Sequence, residues 1–242
     1  MGRAWWARRA ELSIAAFADR IGSHMIALLH TARAHVATFD RLARELDAGV
    51  VIRHEVRESL LAEAVAAGSL GGTIEAATRE AVQALVRAGA QVIVCTCSTI
   101  GGIAELAPVP DGVLVMRIDR PMAERAVASG RRIVVAAALQ STFEPTLALL
   151  RQIAAAEDRA IAVSQVLCET AWHFFETGDH ARYIAEIGRS IEAAARPGDL
   201  ILLAQASMAP AAELLGHLGV PVLSSPLLGL AAALSKYRAR HV

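Results

Sequence analysis

From Met25 onward, short apolar runs alternate with longer stretches whose apolar residues recur at helical spacing. An apolar run with no polar alternation predicts a strand buried on both faces, and the alternation of strand with helix predicts parallel βαβ units. The predicted strands are Ile26–His30, Val50–Val56, Gln91–Cys95 and Leu114–Ile118, then Arg132–Leu139, Ala160–Val166, Leu200–Ala204 and Val220–Leu223. Helical periodicity marks Val36–Leu46, Thr73–Ala88, Glu144–Ala156 and His180–Ala195. Gly89 and Gly198 follow two of these helices, where a left-handed residue closes a helix C-terminus.

The two series of strands read as copies. Ile26–Thr31 matches Val135–Gln140, Val56–Ser59 matches Leu167–Thr170, Val92–Cys95 matches Leu202–Gln205, and Met116–Pro121 matches Val222–Pro226. The expected fold is therefore α/β, with two similar lobes of four-stranded parallel sheets flanked by helices. A pseudo-two-fold repeat relates the lobes, and an active-site cleft lies where the strand C-termini meet. Pro121 and Pro226 read as the crossings between lobes. This assigns residues 25–119 with 226–242 to lobe 1 and residues 120–225 to lobe 2. Residues 1–24 differ in character, with Arg3, Arg8 and Arg9 around Trp5 and Trp6. They are expected to be an N-terminal extension without chemistry, the native chain starting at Met25.

Composition narrows the function classes. Of 242 residues, 55% are apolar and 20% charged, enough apolar material for a large core and too little charge for disorder. The 24 basic residues balance 24 acidic ones, which argues against nucleic acid or an anionic membrane as a partner. Three cysteines make no disulfide framework, so a reducing, cytoplasmic setting is expected. The longest apolar stretch, Leu200–Leu234, is broken by Pro210, Glu213, His217, Pro221 and Pro226, so no membrane span is expected.

The chemistry concentrates in Gln91–Gly102, where an apolar strand ends at Cys95 and hydroxyl residues lead into Gly101 and Gly102. A thiol between a strand end and a helix N-terminus has its thiolate stabilised by backbone N–H groups. The same donors, with Thr96, Ser98 and Thr99, suit a carboxylate. An inert core role for Cys95 and Cys97 is the competing reading. His30 and Thr31 end the first strand. Thr31 would bind a substrate carboxylate, and His30 would orient it or relay a proton. His30 and His35 lack the spacing and carboxylate partner of a zinc site, and His54 reads as structural. There is no Gly-x-Gly-x-x-Gly turn after the first strand, no Walker loop and no Gly-x-Ser-x-Gly elbow.

Val92-Ile-Val-Cys95-Thr-Cys-Ser-Thr99 resembles the first cysteine motif of the aspartate/glutamate racemase superfamily, and Leu202-Leu-Ala-Gln205-Ala-Ser207 stands where the second motif belongs. The resemblance implies two α/β lobes, no cofactor, no metal, and proton transfer at the α-carbon of a small carboxylic acid. By it, Cys95 is the catalytic thiol. Thr31, Thr96, Cys97, Ser98, Thr99, Gln205, Ala206 and Ser207 bind substrate. Gln205 fills the place of the second thiol, which leaves two-thiol racemisation without its second base. Glu169 is then the candidate opposing acid/base, with His30 assisting. A single-thiol decarboxylase, a cis–trans isomerase of a small diacid and a non-catalytic acid-binding protein are the other readings, and a homodimer or higher homo-oligomer is expected.

Overall fold

The computed structural model describes residues 25–68 and 70–240, so the expectation for residues 1–24 lies outside the described residues. In lobe 1, β1 (Met25–His30), α1 (Ala34–Leu46), β2 (Ile52–Val56), α2 (Glu58–Ala67), α3 (Gly72–Arg87), β3 (Ala90–Cys95), α4 (Ser98–Glu105) and β4 (Leu114–Arg117) follow one another. Lobe 2 runs through α5 (Arg120–Ala128), β5 (Arg132–Ala137), α6 (Phe143–Ala156), β6 (Val163–Leu167), α7 (Ala171–Glu176), α8 (His180–Ala194), β7 (Asp199–Leu203), α9 (Ala211–Leu214) and β8 (Val222–Ser224). A last helix, α10 (Ser225–Arg238), ends the described chain. Two four-stranded sheets result, ordered β2-β1-β3-β4 and β6-β5-β7-β8, and every pairing is parallel. All eight strands expected from the apolar runs are present.

Each sheet is covered on both faces, which is why its inner strands β1 and β3, or β5 and β7, are almost wholly buried apolar runs, whereas the edge strands β2 and β6 carry polar residues. Alternate residues of β1 serve opposite sides. Ile26 and Leu28 pack with Phe39 and α10, whereas Ala27 and Leu29 pack with α2, α3 and α4. Lobe 2 repeats the arrangement, with α5 and α6 on one face and α8 on the other. Gly89 adopts φ of +89° directly after the C-cap of α3, as expected at that helix end, whereas Gly198, at +91°, lies three residues beyond the extended C-cap Ala195 of α8 and turns the chain into β7.

Proline opens both crossing helices, near the first position of α5 and of α10. A proline costs nothing there because the first-turn N–H groups have no intrahelical acceptor. From the second crossing, α10 returns to lobe 1 and buries Leu230, Ala233 and Leu234 against Ile26, Leu28 and Val94. It lies so close to the first crossing that a Cβ on Gly229 would sit 2.1 Å from the Ile118 carbonyl oxygen. Gly229→Ala must push α10 off that carbonyl. It is expected to cost about 1–3 kcal/mol in urea unfolding, and an unchanged midpoint would mean the helix shifts freely.

The hydrogen-bond register corrects the internal alignment. Leu29 pairs with Cys95 in one sheet and Ala136 with Leu203 in the other. The next links agree, Thr96 N–H donating to the Leu29 carbonyl and Ala204 N–H to that of Ala136. β1 and β5 both have six residues and end at His30 and Ala137, so Leu29 corresponds to Ala136, Cys95 at the end of β3 to Leu203 at the end of β7, and the helix-capping Cys97 to Gln205. The sequence matches of Ile26–Thr31 with Val135–Gln140 and of Val92–Cys95 with Leu202–Gln205 are both displaced by two residues. Runs of small and branched apolar residues fit equally well after such a slip, because side-chain direction repeats every second residue.

Candidate active site

The strand C-termini of both lobes converge on an inner cavity of about 30 Å³. Thr31, Thr96, Cys97, Ser98, Thr99, Gln205, Ala206 and Ser207 all line it, joined by His35, Leu61, Thr142, Trp172 and Phe175. Two wider hollows flank it, of about 570 and 590 Å³. The first shares His35, Ala206 and Ser207 with the inner cavity, the second shares Thr31, Leu61 and Trp172, and Phe175 borders all three. Trp172 and Phe175 stack with ring centres 4.8 Å apart and wall the opening.

Cys95 does not reach this cavity. Its side chain is fully buried in the lobe 1 core beside Leu29, Ile93 and Ile100, and its Sγ donates to the Cys97 carbonyl at 3.6 Å. Burial, with Cys97 close by, pushes its thiol well above the ordinary range. The last residue of a strand still points into the packed layer, so the expected catalytic position at Cys95 is corrected. Cys97, 7% exposed and packed against the same core, is instead the cysteine that borders the cavity. It holds the N-cap position of α4 in extended conformation (φ −106°, ψ 117°), directly before the helix begins. A strand end followed by Cys-Ser-Thr was the available signal, since the cap residue faces what the helix N-terminus faces.

Native-state alkylation follows from this geometry. Iodoacetamide is expected to label Cys97 before Cys95 and Cys168, read by peptide mass spectrometry. First labelling at Cys95 would contradict the burial described. Cys168 lies in the lobe 2 core, where burial raises its thiol to about 11, so its expected packing role agrees with its position.

The surrounding polar groups are fixed by specific partners. Ser98 Oγ donates to the Ala204 carbonyl at 2.7 Å, linking the start of α4 to the end of β7 in the other lobe. The amide oxygen of Gln205 accepts from Ala138 N–H at 2.6 Å, which locks that side chain onto its own lobe. Ser207 Oγ shares a 2.8 Å hydrogen bond with the Tyr183 hydroxyl, whose phenol is raised by burial. Behind α4, Arg117 forms a two-pronged ion pair with Asp119 at 2.6 and 2.8 Å. The same guanidinium donates to the Ser98 and Pro145 carbonyls at 3.4 and 3.3 Å. A Cβ on Gly101 would meet the Arg117 Cβ at 3.0 Å, so the glycine lets α4 lie on this arginine.

The two other candidates for acid/base work part company. His30 is fully buried and hydrogen-bonded through both ring nitrogens, to Thr96 and to His54, and it lines none of these hollows. Burial, with His35 and His54 nearby, pushes it down to about 3. Glu169 is exposed in the turn after β6 and borders none of the hollows, so its expected place opposite the thiol is corrected. The chain leaves β6 and turns outward before α7, which carries the carboxylate away. Its repeat partner Glu58 caps Arg33 N–H at 3.1 Å.

His35, considered above only as a metal ligand, is the side chain that sequence reasoning missed. It stands at the start of α1, borders the inner cavity, and neither ring nitrogen has a hydrogen-bond partner. Burial lowers it to about 4, so it faces the cavity as neutral imidazole at pH 7. Among the described residues no three His, Cys, Asp or Glu side chains are grouped to hold a metal. Among the same residues no helix is long and apolar enough to cross a membrane.

No family model and no curated protein sequence matches the chain. Solved structures do, and they define the fold as that of amino-acid and allantoin racemases. The aspartate racemase of Picrophilus torridus superposes with a TM-score of 0.65 at 15% identity, covering 90% of this chain and 100% of its own. Glutamate racemase from Francisella tularensis, in complex with D-glutamate, gives 0.62 at 14% identity over 91% of this chain and 82% of its own. Allantoin racemase from Klebsiella pneumoniae gives 0.58 at 17% identity over 90% and 89%. The two-lobed architecture with paired parallel sheets is thus the aspartate/glutamate racemase fold.

Proposed function

We propose that this chain is a cofactor-independent enzyme that transfers a proton at the α-carbon of a small carboxylic acid, with Cys97 as its acid/base. One observation carries the reading. Cys97 borders the cavity between the lobes at the start of α4, beside Thr31, Thr96, Ser98 and Thr99. Ser98 and Thr96 spend their hydroxyl protons on the protein, so the first-turn N–H groups with the Thr31 and Thr99 hydroxyls are the donors that suit a carboxylate, which would hold the α-carbon beside the sulfur. The shared fold with aspartate, glutamate and allantoin racemases supports the reading and leaves the substrate open.

Gln205, at the position equivalent to Cys97, favours a one-thiol reaction over two-thiol racemisation. A primary amide neither gives nor takes a proton near neutral pH, so one face of a bound acid has no thiol opposite it. Protonation of a carbanion left by decarboxylation, or cis–trans isomerisation of a small diacid, needs only the one sulfur.

The test is incubation with a panel of α-substituted carboxylic acids in D₂O, with deuterium at the α-carbon measured by mass spectrometry. Wild type is expected to incorporate label, and Cys97→Ala to lose about 100-fold or more of the rate. Cys95→Ala is expected to keep it, because that sulfur is out of reach. Saturable binding without label in wild type would make the protein an acid-binding protein. Gln205→Cys is expected to add racemisation of a chiral acid, and its failure would show that position 205 does not face the α-carbon.

A further inference from the structure

Thr96 does more than line the cavity. Its Oγ1 lies 2.8 Å from His30 Nδ1. His30 Nε2 lies 2.8 Å from His54 Nδ1, and His54 Nε2 lies 3.0 Å from Asp40 Oδ1. Asp40, on α1, has half of its side chain exposed. Three consecutive hydrogen bonds therefore connect the cavity wall to solvent through groups that each both give and take a proton. We propose that Asp40, His54, His30 and Thr96 form a proton relay that equilibrates the inner cavity with bulk water. The proposal rests on the proton-transfer reading of that cavity.

The polarity of the chain can be worked out. Asp40 as a carboxylate accepts from His54 Nε2–H, which leaves His54 Nδ1 to accept from His30 Nε2–H. His30 Nδ1 then accepts from the Thr96 hydroxyl, and both rings are neutral. An outward pass forms one bond and breaks one at each link. A proton from the cavity acid/base binds Thr96 Oγ1 as the original hydroxyl proton moves to His30 Nδ1. The His30 Nε2 proton moves to His54 Nδ1, the His54 Nε2 proton moves to Asp40, and Asp40 releases it to water. One proton enters and one leaves. The hydroxyl proton newly held by Thr96 has its own acceptor, the Leu29 carbonyl 3.2 Å away. The reverse pass brings in a solvent proton and restores both tautomers, so removal and return of one α-proton reset the chain.

A scaffold would need only that these nitrogens be satisfied, which a carbonyl for each N–H and any isolated donor for each bare nitrogen achieves. What the geometry adds is continuity from a buried hydroxyl to an exposed carboxylate. His30, pushed down to about 3, is no resting place for charge, which suits a group that passes a proton without keeping it.

The experiment needs no substrate. In ¹⁵N-labelled protein both rings are expected as Nε2–H tautomers, and the His30 ring proton, though buried, is expected to exchange with water faster than the backbone N–H groups of β1. Asp40→Asn keeps an acceptor oxygen but not the acidity, and is expected to slow that exchange about tenfold or more. His54→Gln is expected to do the same, with the backbone spectrum confirming that both variants fold. A His30 ring proton that exchanges no faster than the β1 amides, indifferent to Asp40→Asn, would overturn the relay. In the α-deuteration assay Asp40→Asn is expected to lower the rate at unchanged KM, with recovery on adding imidazole buffer. Fast ring exchange in a protein that deuterates no acid would leave the relay standing and remove the catalytic reading instead.

Discussion

Between pH 7 and pH 5 the folded state is expected to lose about 4 kcal/mol of stability through two buried histidines. His30 and His35 titrate near 6.5 when the chain is unfolded, but near 3 and 4 when it is folded. As pH falls below 6.5 the unfolded chain takes up protons that the folded chain refuses, so stability drops with pH. The drop continues until the folded-state values are passed. Each histidine contributes about 2 kcal/mol by pH 5, since one pH unit is worth about 1.4 kcal/mol. Urea unfolding at the two pH values measures the total, and His35→Leu apportions it. That variant is expected to shrink the loss by about 2 kcal/mol. It is also expected to be no less stable at pH 7, because it removes two ring nitrogens without partners. An undiminished loss in His35→Leu would mean that His35 protonates freely in the folded protein.

Arg117→Met is expected to cost about 3–5 kcal/mol. The Arg117 and Asp119 side chains are 5% and 1% exposed, so the variant strands a carboxylate that water cannot reach. The pair is dear to assemble and dearer to break, because each charge has already given up its hydration. The double variant Arg117→Met, Asp119→Asn is expected to recover much of the loss, since no lone charge remains. A single-variant cost below about 1 kcal/mol would show that Asp119 finds solvent or another partner. The guanidinium also bonds the Ser98 carbonyl and supports Gly101, so the same change is expected to loosen the turn that presents Cys97.

Much of this architecture was legible in the apolar runs. Strands buried on both faces leave an uninterrupted signature, and Pro121 and Pro226 marked where helices begin after β4 and β8. The helices α2, α4, α5, α7 and α10 were not legible, because α4, α5 and α7 are too short to display a period and α2 and α10 carry apolar residues around most of their circumference. The site was half legible. The hydroxyl residues after β3 and the stretch from Gln205 to Ser207 do line the cavity, yet the cysteine that borders it is Cys97 and not Cys95. Apolar periodicity cannot distinguish the last inward-facing residue of a strand from the cap of the following helix. Only the strand ends and the helix caps Cys97 and Gln205 fix the frame. His35 escaped notice for another reason. A histidine in the first turn of an amphipathic helix reads as surface, and nothing in its neighbours reveals that its ring turns inward.

The Ser98 bond to the Ala204 carbonyl ties the two lobes together deep inside their seam. Any widening of the cleft therefore has to break that bond, so Ser98 acts as a latch as well as a cavity wall. The stacked Trp172 and Phe175 rings border both the inner cavity and the hollow beside it, and form a sill between them.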